Sequence, residues 1–161
     1  MWLIPTLVAA RVTDISIETL RALGVRGLIF DLDNTLMAPR SGRLDADISQ
    51  WLAVLAAEGF QLACVSNNKR AAYCQSAQET LSMPVFGHAR KPFGASLAAA
   101  VAQMGLSAHE TLVVGDRPLT DIWGGRRIGA QTALVKPLMG PFEPPAIRFL
   151  RWMERRVVRV S

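Results

Sequence analysis

Two aspartates spaced two residues apart, Asp31 and Asp33, follow directly on the apolar run Gly27-Leu28-Ile29-Phe30. A buried strand that ends in a pair of carboxylates needs something to compensate them, because an unpaired charge removed from water is costly. Two readings answer this. Asp and Asn favour turns, so Asp31-Leu32-Asp33-Asn34 can be a turn and nothing more. Alternatively, a hard cation and a phosphate group sit there, since Mg²⁺ prefers oxygen ligands and keeps several of its waters. The pair by itself does not choose between them.

Other polar clusters follow other apolar runs. Ser66-Asn67-Asn68 comes after QLACV (61–65), and Lys91-Pro92 comes after PVF (84–86). Gly115-Asp116 closes TLVVG (111–115), with Thr120-Asp121 a few residues on. Each has a bland reading: Ser66 as a helix cap, Lys91 as a solvated surface cation, Asp121 as an acid in a helix's first turn. The joint pattern of polar clusters at four successive run ends carries the signal that none carries singly.

These residues must be positioned by the elements between them. Strands are predicted at 27–30, 61–65, 84–86, 111–115 and 132–135. Helices are predicted at 45–58, opened by Asp45 and closed by Gly59, and at 68–80, 93–104 and 119–128. Strand and helix alternate, which predicts an α/β, Rossmann-like fold: a parallel sheet of about five strands with helices on both faces. Ligands of such sheets sit beyond the carboxyl ends of the strands, where the polar clusters fall.

Composition agrees. The chain has 161 residues, a length expected of one domain with a core of its own. Half the residues are hydrophobic, and mean hydropathy is +0.22. Both values suit a sheet covered on its two faces. The two cysteines, Cys64 and Cys74, form no Cys-x-x-Cys or Cys/His cluster. That argues against a zinc site and for reduced thiols in a cytoplasmic protein. The opening run MWLIPTLVAA is too short to span a membrane and lacks a cationic start, so it is expected to pack on the core.

In order, DLDNTL, VSNN, ARKP and GDRPLTD resemble the motifs of the haloacid dehalogenase superfamily of phosphotransferases over about residues 25–136. Finer detail resembles the YqeG-like subfamily IIIA phosphatases, a subgroup related to phosphatidylglycerophosphate phosphatase. The carriers are GLIFDLDNTL, SNN after the second strand, KP in the third motif, GDxxxTD, and the N-terminal LIPTLVAARVTDIS.

The resemblance implies a phosphate-monoester hydrolase that works through an aspartyl phosphate. Asp31 would be the nucleophile and Asp33 the general acid and base. Asp31, the backbone carbonyl of Asp33, and Asp116 would hold Mg²⁺. Ser66, the Asn67 backbone N–H and Lys91 would bind the phosphoryl group. Thr35 is counted with these phosphate-binding residues and would orient the Asp33 loop. Asp121 would support metal-bound water or Lys91. Chemistry supports each role, since a carboxylate can attack phosphorus and a cation offsets the repulsion between two anions.

Spacing between motifs leaves no room for a cap domain. About ten residues separate Thr35 from Asp45, and 25 positions separate Ser66 from Lys91. An uncapped site favours a bulky ester such as a lipid headgroup.

Residues 141–161 are expected to be a separate appendage to the domain at 1–140: a Pro-rich break, then a basic amphipathic helix. Residues 146–161 hold five arginines against Glu154, a net of +4, so the rest of the chain is only +1 of the total +5. Such a helix fits peripheral contact with an anionic membrane face, or docking on the protein's own core with the arginines outward. Nucleic-acid binding is not expected, because no known module is present. The leading functional reading is therefore a phosphatase for phosphatidylglycerophosphate or a similar lipid. A phosphatase for a soluble nucleotide or sugar phosphate, and a non-catalytic phosphate-binding module, stand as alternatives.

Overall fold

The computed structural model describes residues 3–138 and, beyond them, Pro145, Trp152 and Met153. Among these described residues, six parallel strands form one sheet: β1 Leu7–Ala9, β2 Gly27–Phe30, β3 Gln61–Val65, β4 Val85–Phe86, β5 Thr111–Gly115 and β6 Gln131–Val135. Their order across the sheet is β1-β6-β5-β2-β3-β4. The parallel, doubly wound architecture is as expected. The additional strand is β1, which pairs with β6 in the register Leu7↔Ala133. The opening run thus docks as an edge strand. Three residues are too few to show a strand pattern, so only the partner edge reveals it.

Strand faces alternate as a pleat requires. Leu28 and Phe30 of β2, with Leu112 and Val114 of β5, face one apolar cluster. Helices α1 (Ile17–Ala22), α2 (Ala46–Ala57) and α3 (Ala71–Leu81) close that cluster with Leu20, Ile48, Leu52, Leu55, Ala77 and Leu81. Ile29, Val113, Ala63 and Val65 face the opposite cluster, covered by Leu97, Ala100 and Val101 of α4 (Ala95–Gln103). The expected stop of α2 is present: Gly59 adopts φ 88, a left-handed value that a side chain resists.

The expected helices at 45–58 and 93–104 are present within two residues at each end, as Ala46–Ala57 and Ala95–Gln103; the other two depart further, each for a local reason. α3 starts at Ala71 rather than 68, because side chains build turns first. Ser66 Oγ accepts from the Asn68 N–H (3.1 Å), and Asn68 Oδ1 accepts from the Arg70 N–H (2.9 Å). Such bonds compete with helix formation. The stretch expected as one helix over 119–128 is instead a π-helical turn, Pro118–Ile122, followed by α5, Trp123–Arg127.

The sheet's order sets the location of the site. From β2 the chain moves outward through β3 and β4, then returns to the other side of β2 as β5. The crevice beyond the carboxyl ends of β2 and β5 is the topological switch point. Most of the tail expected to form a basic helix lies outside the described residues; Trp152 and Met153 within it are exposed. Among the described residues, no helix is long and apolar enough to cross a membrane.

Candidate active site

β2 and β5 run in register, Phe30↔Val114, and the Asp31 N–H donates to the Val114 carbonyl at 2.9 Å. Asp31 therefore leaves β2 beside Gly115, and Asp116 follows one residue further on from the neighbouring strand. The loop after Asp31 folds back on itself. Leu36 and Met37 N–H groups both donate to the Leu32 carbonyl, and Asn34 sits at φ 68. Asparagine tolerates that left-handed conformation better than most residues.

Lys91 stands at the centre. Its Nζ donates to Asp31 Oδ1 at 2.6 Å and to Asp121 Oδ1 at 2.7 Å. Side-chain exposure is 3% for Lys91, 14% for Asp31 and 1% for Asp121, so the cluster is buried with one carboxylate opening outward. The bland reading of Lys91 as a solvated cation is thereby overturned. The lysine is fixed from behind by Asn67, whose Oδ1 accepts from the Lys91 N–H (2.7 Å) and whose Nδ2 donates to the Lys91 carbonyl (3.3 Å).

Asp121 arrives by close backbone approach. A Cβ on Gly115 would stand 2.3 Å from the Asp121 carboxylate, so any other residue there would force that side chain to move. The wide π turn carries Asp121 inward, where its Oδ2 also accepts from the Arg117 N–H at 3.1 Å. Thr35 Oγ1 donates to Asp116 Oδ1 at 3.2 Å.

Asp31, Asp116 and Asp121 each offer an oxygen within 4.8 Å of the others. Burial first raises the Asp31 carboxyl, and the Asp121 and Asp116 charges add to this. Lys91 opposes them, and the net effect is a push up to about 7. For Lys91, burial favours the neutral form, but Asp121 and Asp31 outweigh it and raise the ammonium above its ordinary range. Three carboxylates around one ammonium leave an excess of negative charge and an all-oxygen donor set. That chemistry fits a hard divalent cation.

Of the residues singled out from sequence, the structure gathers Asp31, Lys91 and Asp121 by direct bonds, with Asp116 and Thr35 beside them. Ser66 is buried at the end of β3, and its N–H and carbonyl tie β3 to the strand that leads to Lys91. Asp33 points to a different set of partners. Tyr73 Oη donates to its Oδ1 at 2.8 Å, and Asn68 Nδ2 reaches its Oδ2 at 3.4 Å. Burial first, then the bond to Asp33, raises the Tyr73 phenol, so it remains a donor.

Sequence reasoning missed Tyr73 and the side-chain roles of Asn67 and Asn68. One signal was available for the first: Tyr73 is the single tyrosine of the chain, in the segment that follows the second motif.

Known proteins give the same reading. A family model described as HAD-hydrolase-like matches residues 88–141, the stretch that carries Lys91, Asp116 and Asp121. The chain is 35% identical over 141 residues to a protein of Bacillus subtilis called probable phosphatase YqeG, covering 88% of this chain and 81% of that one. It is also 35% identical over 162 residues to a Chlamydomonas reinhardtii chloroplast protein named phosphatidylglycerophosphate phosphatase 1. There it covers 94% of this chain but only 59% of the relative. A crystal structure of a hydrolase from Streptococcus pneumoniae shares the fold, with a TM-score of 0.57 at 18% identity, over 72% of this chain and 95% of that one. A doubly wound sheet with this cluster at its switch point is the scaffold of a phosphoric monoester hydrolase. The chain belongs to the haloacid dehalogenase superfamily of phosphatases, alongside the YqeG-like proteins.

Proposed function

We propose that the chain hydrolyses the terminal phosphate monoester of a lipid headgroup, phosphatidylglycerophosphate or a close analogue. Catalysis is Mg²⁺-dependent and passes through an aspartyl phosphate on Asp31. The observation that carries the chemistry is the buried Asp31–Lys91–Asp121 cluster with Asp116 beside it.

An Asp31 carboxylate oxygen attacks phosphorus. The new O–P bond forms as the bond to the leaving oxygen breaks, and that oxygen takes the electron pair. Asp33 delivers a proton to it. Asp33 then takes a proton from water as the water oxygen attacks phosphorus, releasing inorganic phosphate and restoring the Asp31 carboxylate. Lys91 holds Asp31 in place and supplies positive charge at the phosphoryl oxygens, with Ser66 Oγ–H and the Asn67 N–H as further donors. Asp31 and Asp116 side chains and the Asp33 carbonyl would hold the Mg²⁺, which when bound offsets the repulsion between carboxylate and phosphate. Asp121 positions Lys91, and Thr35 positions Asp116.

Support for the lipid substrate comes from two sources. Asp33 to Asp45 is loop, and Ser66 to Lys91 is one helix and a two-residue strand, so a bulky ester can approach. The relatives named for phosphatidylglycerophosphate cover most of this chain. The basic segment at 146–161 would then hold the enzyme at the cytoplasmic membrane face. A panel assay tests this: phosphatidylglycerophosphate in mixed micelles against soluble sugar and nucleotide phosphates, with Asp31→Asn as the control. Lipid turnover that vanishes in Asp31→Asn and without Mg²⁺ is expected. Rapid turnover of soluble esters with none on the lipid would reject the substrate, and an active Asp31→Asn would reject the mechanism.

A further inference from the structure

Asp33 is held from outside its own loop. Its two carboxyl oxygens are engaged separately, Oδ1 by the Tyr73 hydroxyl at 2.8 Å and Oδ2 by the Asn68 amide at 3.4 Å. Tyr73 lies in the first turn of α3, and its ring packs against the apolar cluster beneath the sheet, which fixes where its hydroxyl can point. Asn68 is fixed in turn: its backbone N–H donates to Ser66 Oγ, and its side-chain Oδ1 accepts from the Arg70 N–H. The segment that follows β3 therefore aims a residue of the loop that follows β2.

We propose that Tyr73, assisted by Asn68, is a positioning residue for proton transfer by Asp33. It limits the Asp33 side chain to one orientation, so that proton delivery to the departing oxygen requires no search among rotamers. Aligned donors are a large part of general-acid efficiency. The inference rests on Asp33 being the acid that protonates the leaving oxygen as the O–P bond breaks. A leaving group that is stable as an anion needs little of that proton, whereas a basic one needs it fully. Loss of the Tyr73 hydroxyl must therefore act in proportion to leaving-group basicity, which a merely structural role would not do.

The test is kcat/KM, with the full chain saturated in Mg²⁺, across p-nitrophenyl, phenyl and p-methoxyphenyl phosphates. Tyr73→Phe keeps the packed ring and removes only the donor. The expected result is near-wild-type kcat/KM on p-nitrophenyl phosphate and a loss that grows to about tenfold at the basic end, part of the typical general-acid contribution. Asn68→Ala should show the same trend, and it decides the matter should Tyr73→Phe melt early. A uniform loss, or none, across the series overturns the inference. Asp33→Asn separates the two claims. If its profile is also flat, the reading of Asp33 as the acid fails. If Asp33→Asn is steep and Tyr73→Phe flat, only the role of Tyr73 fails.

Discussion

Gly115→Ala tests the close approach that carries Asp121 into the site. The added Cβ would stand 2.3 Å from the Asp121 Cγ and Oδ2, whereas ordinary contact begins at 3.4 Å, so the carboxylate must retreat by about 1.1 Å. Asp121 Oδ1 lies 2.7 Å from Lys91 Nζ, and a retreat of that size directed away from Lys91 takes the pair out of hydrogen-bond reach. Lys91 then keeps one of its two carboxylates and shifts toward it. Overpacking of this kind costs about 1–3 kcal/mol, and for a chain of this size each kcal/mol moves Tm by about 2–4 °C. A displacement of about 1 Å in a catalytic group costs roughly a hundredfold in rate. The assay pairs a thermal melt with Mg²⁺-dependent p-nitrophenyl phosphate turnover, for Gly115→Ala, Asp121→Ala and the double variant. Because the clash is with Asp121 itself, Gly115→Ala should add little in the Asp121→Ala background. Wild-type activity and Tm in Gly115→Ala, or fully additive effects in the double variant, would refute the geometry.

Two further predictions concern pH. Asp31 has its carboxyl raised from 3.8 to about 7, with burial the leading cause. A raised carboxyl favours folding at low pH, and that contribution is lost as pH rises through 7, where the bare carboxylate is opposed by its neighbours. A cation that needs the ionised form should therefore raise Tm more at about pH 8 than at about pH 5.5. Asp31→Asn should remove most of that difference; equal Mg²⁺-induced shifts at the two pH values would contradict the reasoning. Glu110 is the opposite case, lowered from 4.5 to about 2 by the Ser107 hydroxyl and N–H and then by Arg26. Its contribution is present above 4.5 and lost as pH falls toward 2. The stability gap between wild type and Glu110→Gln in urea unfolding should close over that window, and a gap independent of pH would exclude the assignment.

The amino-acid sequence alone determined the sheet's interior strands and the level at which the chemistry sits. Short, mostly apolar runs, each followed by a polar cluster, specify parallel strands and put Asp31, Ser66 and Asp116 at the carboxyl ends of interior strands, with Lys91 after the edge strand β4. Local pattern suffices there, because strand length and burial are properties of consecutive residues. Tertiary structure decided which side chains meet. Lys91 chooses Asp121 as well as Asp31 because a π turn and a bare Gly115 let the acid swing inward. Thr35 finds Asp116 across 81 residues, and Tyr73 finds Asp33 across 40. Such pairings depend on strand order, sheet twist and helix placement, none of which is encoded in the spacing of the residues concerned. The edge strand Leu7–Ala9 belongs with them, since three residues become a strand only where β6 offers its open edge.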